Sequence, residues 1–218
     1  MAADSTPAEI LVATTNPHKV SEVRDILAPL GVRIISLDDV QATDGSIAAD
    51  ITAPIEDGDT FEENARIKAF HYATALNRTC LADDSGLEVD ALKGAPGVRS
   101  ARYAGVGATR PDRDKANNDK LLRKLAGVPD DKRTARFVCA MCLATPRGKI
   151  IAESRGECAG HIGHEPRGVH GFGYDPLLVV GYGRTSAELS PEEKNALSHR
   201  GQAARAMADK LKRLITAR

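Results

Sequence analysis

The chain alternates between apolar segments with strand character and capped segments with helical spacing, and this alternation constrains the fold most strongly. The first apolar segment, residues 9–14 (EILVAT), predicts a buried strand and runs directly into Asn16 and Pro17. Asn16 is a good helix N-cap, and proline is favoured at the first helical position. Apolar residues then recur at helical spacing, at Val20, Val23, Leu27 and Leu30. This spacing predicts a helix with one buried face.

The same alternation continues to the end of the chain. Further strands are predicted at residues 33–37, 79–82, 134–145, 149–156 and 177–180. Helices are predicted to begin at Thr60, to span residues 112–125, and to begin again at Ser190 and Ser198. Thr60 and Ser190 each have a glutamate three residues later, which is the pattern of a capping box. Strands that alternate with helices predict an α/β fold around a mixed central sheet.

Length and charge exclude several classes of protein. With 218 residues, of which 42% are hydrophobic, the chain can bury a sizeable core. We assign residues 1–8 to a flexible N-terminal tail and residues 9–218 to a single α/β domain. The 30 basic and 30 acidic residues balance, which argues against general binding to nucleic acid. No apolar run approaches the roughly 18 residues of a membrane helix, and the N-terminus lacks the features of a signal peptide. We therefore expect a cytoplasmic protein without membrane contact.

Cysteine and histidine patterns do not predict a metal centre. Cys139 and Cys142 have CxxC spacing but lie in an apolar run, where a strand would send the two thiols to opposite faces. Buried, reduced cysteines are the expected outcome. His161 and His164 lie in a segment rich in Gly and Pro without helical i, i+4 spacing, so we expect exposed loop histidines.

Residues 81–105 carry the strongest signal of chemistry. Asp83 and Asp84 follow an apolar lead-in and precede Ser85 and Gly86. Neighbouring residues on a strand point to opposite faces, so the two carboxylates are expected to have different roles. The residues alone leave two alternatives open: a carboxylate at the end of a strand facing a cleft, or an ordinary Asp-Asp-Ser-Gly turn.

Residues 14–19 form a strand-to-helix connection at a helix N-terminus, where backbone N–H groups and the helix dipole favour an anion. Lys19 adds a positive charge that can reach a phosphate. The Walker spacing is absent, and an ordinary capped helix explains the segment equally well. Asn64 and Lys68 lie four residues apart and so share one helix face. Lys68 is either a surface lysine or one directed into a cleft.

Two segments near the C-terminus are candidates for ligand contact. Residues 171–176 (GFGYDP) combine tight glycine turns with two aromatic side chains, Phe172 and Tyr174, which form either a stacking surface or a turn packed on the core. His199 and Arg200 stand in the first turn of the last predicted helix. Positive charge there opposes the helix dipole, and this conflict indicates that the two residues serve a ligand.

Taken together, five motifs resemble one family. The motifs are T-T-N-x-x-K at residues 14–19, T-F-E-E-N-x-x-x-K at 60–68, D-D-S-G-L at 83–87 followed by A-P-G-V-x-S-A-R-Y at 95–103, G-F-G-Y-D-P at 171–176, and Lys194 with S-H-R-G at 198–201. They occur in the order found in the inosine triphosphate pyrophosphatase family, whose members include dITP/XTP pyrophosphatases and Ham1-like proteins. The resemblance covers the chain from Leu11 to near the C-terminus.

The resemblance implies a strongly twisted mixed sheet flanked by helices, with a cleft between two lobes, and usually a homodimer. It also implies hydrolysis of non-standard purine nucleoside triphosphates (ITP, dITP, XTP) to the monophosphate and pyrophosphate, with Mg²⁺ as cofactor and Mn²⁺ as a possible substitute. In this reading Asp84 and Glu56 bind the metal, and Asp84 and Lys68 are catalytic. An ordinary aspartate, with a pKa of about 3.9, is a poor base at neutral pH, so metal activation of the attacking water is favoured over Asp84 acting alone.

The resemblance also assigns the substrate contacts. The triphosphate would be neutralised by Lys19, Lys68 and the backbone of residues 14–19, and the substrate would be contacted there by Thr14, Thr15, Asn16, Pro17, His18 and Lys19. Ser85 would also contact the substrate. The base would pack near Phe172, in the segment with Gly173 and Tyr174, and its edge would be recognised by Asp175, Lys194, His199 and Arg200. Two alternatives remain open: a pyrophosphatase of similar architecture that acts on pyrimidine or other modified nucleotides, and a module that binds nucleotides without cleaving them.

Overall fold

The computed structural model describes residues 9–40 and 48–216. The predicted N-terminal tail, residues 1–8, lies outside these ranges. The strands are β1 Glu9–Val12, β2 Arg33–Ser36, β3 Cys80–Val89, β4 Thr134–Ala144, β5 Ile150–Ile162 and β6 Leu178–Val179. They form a six-stranded sheet in the order β2-β1-β3-β4-β5-β6. Strand β1 pairs in parallel with β2 and β3, whereas β5 and β6 pair antiparallel. The predicted α/β fold with a mixed sheet is confirmed.

Local capping determines where most of the helices begin. The helices are α1 Pro17–Leu27, α2 Phe61–Leu76, α3 Arg110–Lys124, α4 Pro191–Leu197 and α5 His199–Thr216. The predicted capping boxes before α2 and α4 are present, with Thr60 and Ser190 as the caps. Helix α3 begins two residues earlier than predicted, because Thr109 caps it and accepts a hydrogen bond from the Asp112 backbone N–H.

The chain forms two compact units. The first comprises Met1–Asp84, Cys139–Gly156 and Arg200–Arg218, and the second comprises Ser85–Val138 and Glu157–His199. The chain passes from one unit to the other within β3, between Asp84 and Ser85. Assignment of residues 9–218 to a single domain stays a prediction.

Each unit has its own apolar core. In the first unit, β1 and α1 pack with α5, whose small residues Ala203 and Ala204 are fully buried beside Met207 and Leu211. In the second unit, the end of β3 packs with α3 and with residues around β6 in a core that includes Leu87, Leu121, Phe137, Tyr174 and Leu177. Burial of an apolar side chain of this size contributes about 1.5–3 kcal/mol, so these clusters stabilise each unit.

Two strands are longer than the sequence predicts. Strand β3 runs without a break through the Asp-Asp-Ser-Gly segment to Val89, so the interpretation of that segment as a turn is wrong. Strand β5 extends to Ile162, and His161 lies opposite Val179 in the pairing with β6. Gly160 permits this pairing, because a Cβ there would lie 2.2 Å from the Val179 carbonyl oxygen. His161 and His164 are exposed as expected, but His161 is a strand residue rather than a loop residue.

The cysteines are reduced, and three of them are buried. Cys80, Cys139 and Cys142 lie in the interior of the first unit, and Cys158 in the second unit is partly buried. Burial raises the pKa of Cys139 to about 12 and that of Cys142 to about 12. The prediction of buried reduced thiols is confirmed for these three. Within the described ranges, none of the helices combines the length and apolar character needed to cross a membrane.

Candidate functional site

Asp83 and Asp84 contact different partners, as the alternation of side chains along a strand predicts. The Oδ2 atom of Asp83 accepts hydrogen bonds from Lys19 Nζ at 2.8 Å and from Arg200 Nε at 3.5 Å. The Oδ2 atom of Asp84 accepts a hydrogen bond from Asn64 Nδ2 at 3.1 Å. One carboxylate therefore belongs to an ion-pair network with Lys19 and Arg200, and the other contacts Asn64 on α2.

The ion-pair network around Asp83 is buried and extends to Glu22 on α1. Arg200, with only 3% of its side chain exposed, pairs through Nη1 with Glu22 Oε2 at 3.0 Å. Burial of Asp83 opposes its charged form, but the positive charges of Lys19 and Arg200 outweigh burial and lower the pKa of Asp83 below its usual range. Burial of Lys19 lowers its own pKa; Asp83 opposes this shift and Arg200 adds to it. This network keeps Asp83 ionised.

Lys68 connects the two neighbouring aspartates and Glu56. Its Nζ donates to the Asp83 backbone carbonyl at 2.9 Å and lies 3.2 Å from Glu56 Oε1 and 4.0 Å from Asp84 Oδ1. Burial lowers the pKa of Lys68, but Asp83, Glu56 and Asp84 outweigh burial, so the net shift is upward. With 14% of its side chain exposed, Lys68 is directed at carboxylates and is not a surface lysine.

Asn64 fixes the orientation of Asp84. The Gly58 backbone N–H donates to Asn64 Oδ1 at 2.9 Å, and since a backbone N–H can only donate, the amide nitrogen of Asn64 must face Asp84. Gly58 fits this contact because a Cβ there would lie 2.9 Å from Asn64 Oδ1 and 2.7 Å from Glu63 Cβ. Asn64 and Lys68 thus act from one face of α2, as their spacing predicted.

Asp84 is a weaker acid than an ordinary aspartate. Burial raises its pKa to about 6; Lys68 opposes the shift, and the negative charge of Glu56 adds to it. Asp84 is therefore a better base than the ordinary aspartate that was expected from the sequence. A carboxylate with a pKa near 6 is still mostly ionised at neutral pH and binds a proton more strongly than an ordinary aspartate.

Asp84 and Glu56 are chemically suited to a divalent cation. Their negative charges act on one another and are offset in part by Lys68. Among the residues that the structure describes, no group of three or more His, Cys, Asp or Glu side chains could hold a metal ion. Mg²⁺ is commonly bound by only one or two carboxylates together with substrate phosphates and waters, and the Asp84–Glu56 pair fits that pattern.

Residues 14–19 form the predicted connection between β1 and the N-terminus of α1. The Asn16 backbone N–H donates to Thr14 Oγ1 at 3.1 Å, which orders the turn before Pro17, the first residue of the helix. No acidic residue lies in the first turn of α1, so no negative side chain there offsets the positive end of the helix dipole. Thr15 and Pro17 are exposed. The side chain of His18 lies outside the described structure.

In the second unit, Asp175 organises the Gly-Phe-Gly-Tyr-Asp-Pro segment. Its Oδ2 accepts hydrogen bonds from the Phe172 backbone N–H at 2.8 Å and from Lys194 Nζ at 2.6 Å. Gly171, with a φ of +79°, lies so close that a Cβ would be 2.1 Å from that oxygen. Asp175 and Lys194, predicted to recognise a base edge, therefore form a pair next to Phe172.

The two aromatic residues of this segment have different environments. Lys194 Nζ lies 5.4 Å from the centre of the Phe172 ring. Tyr174 is 4% exposed, and its hydroxyl donates to the Ser100 carbonyl at 2.8 Å. The interpretation of a turn packed on the core therefore holds for Tyr174, which leaves Phe172 as the candidate stacking residue.

Helix α3 contributes a set of contacts that the sequence analysis missed. The Gly173 backbone N–H donates to Asp114 Oδ2 at 2.9 Å, and Asn118 Nδ2 donates to the Gly173 carbonyl at 3.0 Å. The Arg110 guanidinium carbon lies 4.4 Å from the centre of the Phe172 ring. Arg110, Asp114 and Asn118 recur every four residues, which is the signal that could have identified them as one helix face.

The remaining predicted residues are distributed between the two units. His199 stacks on Phe137 at a ring-centre distance of 4.9 Å in the second unit. Arg200 belongs to the first unit, where its guanidinium contacts Glu22 and Asp83. Ser85 is the first residue of the second unit and is partly buried. Base recognition by His199 and Arg200 stays a prediction.

Comparison with known proteins decides the family. A model described as the Ham1 family matches residues 10–210. The chain belongs to the Ham1 family. A curated relative from Anaeromyxobacter sp. (strain Fw109-5), named dITP/XTP pyrophosphatase, is 44% identical over 94% of this chain and 97% of its own length. Another of that name, from Exiguobacterium sp. (strain ATCC BAA-1283 / AT1b), is 50% identical over 90% of this chain and 93% of its own length.

Solved structures of Ham1 proteins have the same fold. A HAM1 protein from Coxiella burnetii is 40% identical, has a TM-score of 0.81, and the match covers 94% of this chain and 98% of the other. The nucleoside-triphosphatase / dITP/XTP pyrophosphatase from Mycobacterium abscessus is 44% identical, with a TM-score of 0.71 and coverage of 91% and 98%. The resemblance drawn from the five motifs is therefore confirmed for the family and for the α/β fold.

Proposed function

We propose that this Ham1-family protein hydrolyses ITP, dITP and XTP to the nucleoside monophosphate and pyrophosphate, and so removes these nucleotides from the cellular pool. The observation that carries the proposal is the group formed by Asp84, Glu56 and Lys68, which combines a carboxylate pair with a partly buried lysine. The names of the relatives, dITP/XTP pyrophosphatase, support the substrate class.

The first unit carries the residues that we assign to phosphate and metal. Asp84 and Glu56 would hold Mg²⁺, or Mn²⁺ in its place. When bound, the metal would neutralise phosphate charge and lower the pKa of a water molecule. Lys68 and Lys19, with the N-terminus of α1, add positive charge for the triphosphate. These positive groups stabilise the negative charge that develops on the leaving pyrophosphate, which lowers the barrier to bond cleavage.

Asp84 is the proposed acceptor of the proton from the attacking water. Its Oδ2 already accepts the Asn64 amide, so we assign the proton to Oδ1. The pKa of about 6 allows Asp84 to be ionised before the reaction and to bind a proton more strongly than an ordinary aspartate during it. Lys68 and Asn64 hold the carboxylate in place, which limits the reorganisation needed at the moment of reaction.

The second unit carries the residues that we assign to the base. The ring of Phe172 offers a stacking surface, and the Asp175–Lys194 pair offers an acceptor and a donor for the polar edge of the base. The 6-oxo group of hypoxanthine or xanthine accepts a hydrogen bond, whereas the 6-amino group of adenine donates one. A lysine donor therefore favours the 6-oxo bases. We further propose a homodimer, as the resemblance implies, and a location in the cytoplasm, as the sequence features lead us to expect.

A panel of substrates tests the function. The purified protein is incubated with Mg²⁺ and, separately, ITP, dITP, XTP, ATP, GTP, dTTP and UTP, and pyrophosphate and orthophosphate are measured with contaminating pyrophosphatase excluded. We expect pyrophosphate as the first product from the three non-standard purine nucleotides. Orthophosphate as the first product would overturn cleavage between the α and β phosphates. Preferred cleavage of dTTP or UTP would support the pyrimidine alternative, and nucleotide binding without turnover would indicate a non-catalytic module.

A further inference from the structure

Two carboxylates hold the peptide groups on either side of Phe172. The peptide group before Phe172 donates its N–H to Asp175, and the peptide group after it donates the Gly173 N–H to Asp114. Each peptide group is planar, so fixing its N–H also fixes the direction of the Cα atoms in that plane. The backbone of Phe172 is therefore held from both sides.

Asn118 completes the restraint from α3. It donates to the Gly173 carbonyl, so Asp114 and Asn118 together hold both polar backbone groups of Gly173. Gly173 has a φ of +62°, a backbone conformation that residues other than glycine rarely adopt. Arg110, one turn before Asp114, lies over the ring of Phe172. One face of α3 thus holds the backbone next to Phe172 and also contacts its side chain.

The energetics of Asn118 indicate a role other than stability. It is buried, and its Oδ1 has no hydrogen-bond partner within the described residues. A buried acceptor without a partner destabilises the folded state. With respect to this atom alone, an apolar residue of similar size would give a more stable fold. The polar residue is explained by the contact that its Nδ2 makes with Gly173.

We propose that Asp114 and Asn118 are positioning residues that fix the Phe172–Gly173 backbone and thereby determine discrimination between purine bases. The inference rests on the proposed function, in which Phe172 stacks on the base. Phe172 can only stack productively with one class of base if its ring has a fixed position relative to the Asp175–Lys194 pair, which recognises the base edge. Asp114 and Asn118 act through the backbone and need not touch the substrate.

The experiment compares kcat and KM for ITP and ATP in the wild type and in Asp114→Ala, Asp114→Asn and Asn118→Leu. Because base contacts are made in the ground state and in the transition state alike, we expect Asp114→Ala to raise KM for ITP about 10-fold with kcat changed less than about 2-fold. The ratio of kcat/KM for ITP to that for ATP should fall by a similar factor. Asp114→Asn retains an acceptor for the Gly173 N–H and should restore the ratio to within about 3-fold of wild type.

Asn118→Leu and a surface control separate positioning from stability. Asn118→Leu removes the Nδ2 donor to the Gly173 carbonyl, which should lower the ITP to ATP ratio, and it also removes the unpartnered Oδ1, so we expect no loss of melting temperature. Asp119→Ala is the matched control, since Asp119 lies on the same helix and pairs with Lys115 at the surface; it should change neither ratio nor KM. An equal loss of kcat/KM for ITP and ATP in both Asp114→Ala and Asn118→Leu, or the same effect in Asp119→Ala, would overturn the inference.

Failure of the proposed function is distinguishable from failure of this inference. If the wild type releases no pyrophosphate from ITP, the proposed activity fails. Calorimetric binding of IMP and AMP then replaces the kinetic assay. Asp114→Ala should bring the dissociation constants of the two monophosphates closer together by weakening IMP binding. Unchanged discrimination between IMP and AMP would overturn the positioning role independently of catalysis.

Discussion

Asp83 and Asp84 are adjacent in β3, yet their pKa values are shifted in opposite directions. Asp83 is surrounded by Lys19 and Arg200, whose charges outweigh its burial and lower its pKa. Burial raises the pKa of Asp84 to about 6, and its neighbour Glu56 adds to the shift. The strand places one carboxylate in a structural ion-pair network that keeps it ionised at neutral pH and leaves the other available for proton and metal chemistry.

Asp84→Asn should keep the fold and nucleotide binding but remove most turnover. The substitution preserves size while it removes the negative charge that we assign to metal binding and the carboxylate that would accept the proton of the attacking water. Loss of one such electrostatic contact typically lowers kcat by about 10²–10³. Pyrophosphate release measures the rate, and calorimetry with a nucleoside monophosphate measures binding. A variant that retains more than half of the wild-type rate would show that Asp84 is not the catalytic aspartate.

Asp83→Asn should act mainly on stability. It would leave Lys19 and Arg200 buried without their shared anion, and loss of one partner from a buried ion pair typically lowers the free energy of unfolding by about 3–5 kcal/mol. Urea denaturation at neutral pH measures the change. Asp119→Asn, which alters only an exposed ion pair, is the control and should change the free energy of unfolding by less than about 1 kcal/mol.

The stability contributed by Asp83 should depend on pH in a defined direction. Its folded-state pKa lies below the unfolded value, so its contribution is present above the unfolded pKa of about 3.9 and is lost as the pH falls towards the folded value. Denaturation of the wild type between pH 6 and pH 3 should show this loss. The Asp83→Asn protein should lack that component, and parallel curves for the two proteins would contradict the assignment.

Removal of divalent cations should abolish turnover, and Glu56 should determine how much metal is needed. We expect EDTA to stop pyrophosphate release and added Mg²⁺ or Mn²⁺ to restore it. Glu56→Gln should raise the Mg²⁺ concentration for half-maximal rate by about 10-fold or more, since changes in and around a metal site commonly cost 10–100-fold in affinity. Asp57→Asn, at the exposed neighbouring position, is the control. Equal metal dependence in all three proteins would remove Glu56 from the site.

Arg200→Ala tests the predicted role of Arg200 in base recognition against its observed contacts. The substitution leaves Glu22 and Asp83 without the guanidinium of Arg200, which should lower the free energy of unfolding by about 3–5 kcal/mol. If Arg200 also serves base recognition, the gap in kcat/KM between ITP and ATP should narrow through a weaker reaction with ITP, and we expect this result. An equal loss for both nucleotides would confine Arg200 to the buried network.

The parts of the fold that depend on local sequence were predictable, and the parts that depend on distant partners were not. The capping boxes at Thr60 and Ser190 involve residues three positions apart, so the sequence alone predicts where α2 and α4 begin. The continuation of β3 through Asp83–Gly86 was not predictable, because the carboxylates are stabilised by Lys19, Lys68 and Arg200 from remote parts of the chain. Such tertiary contacts override the turn preference of an Asp-Asp-Ser-Gly segment.

The candidate site shows the same division. Asn64 and Lys68 were paired correctly from their helical spacing. The pKa of Asp84 was underestimated, because burial and the position of Glu56 are properties of the folded chain. The contact of α3 with Gly173 was missed for the same reason. Asp114 and Asn118 look like ordinary surface residues of a polar helix until the 171–176 segment is placed beside them.

The buried thiols of the first unit allow local unfolding of that unit to be measured by chemical labelling. Only a thiolate reacts readily with iodoacetamide, and Cys139 is both enclosed and strongly disfavoured as a thiolate in the native state. Alkylation of Cys139 therefore requires the first unit to open, whereas Cys158 in the second unit is partly exposed. Mass spectrometry of timed labelling would thus measure opening of the first unit, with Cys158 as an accessible reference in the same sample, without any nucleotide or metal present.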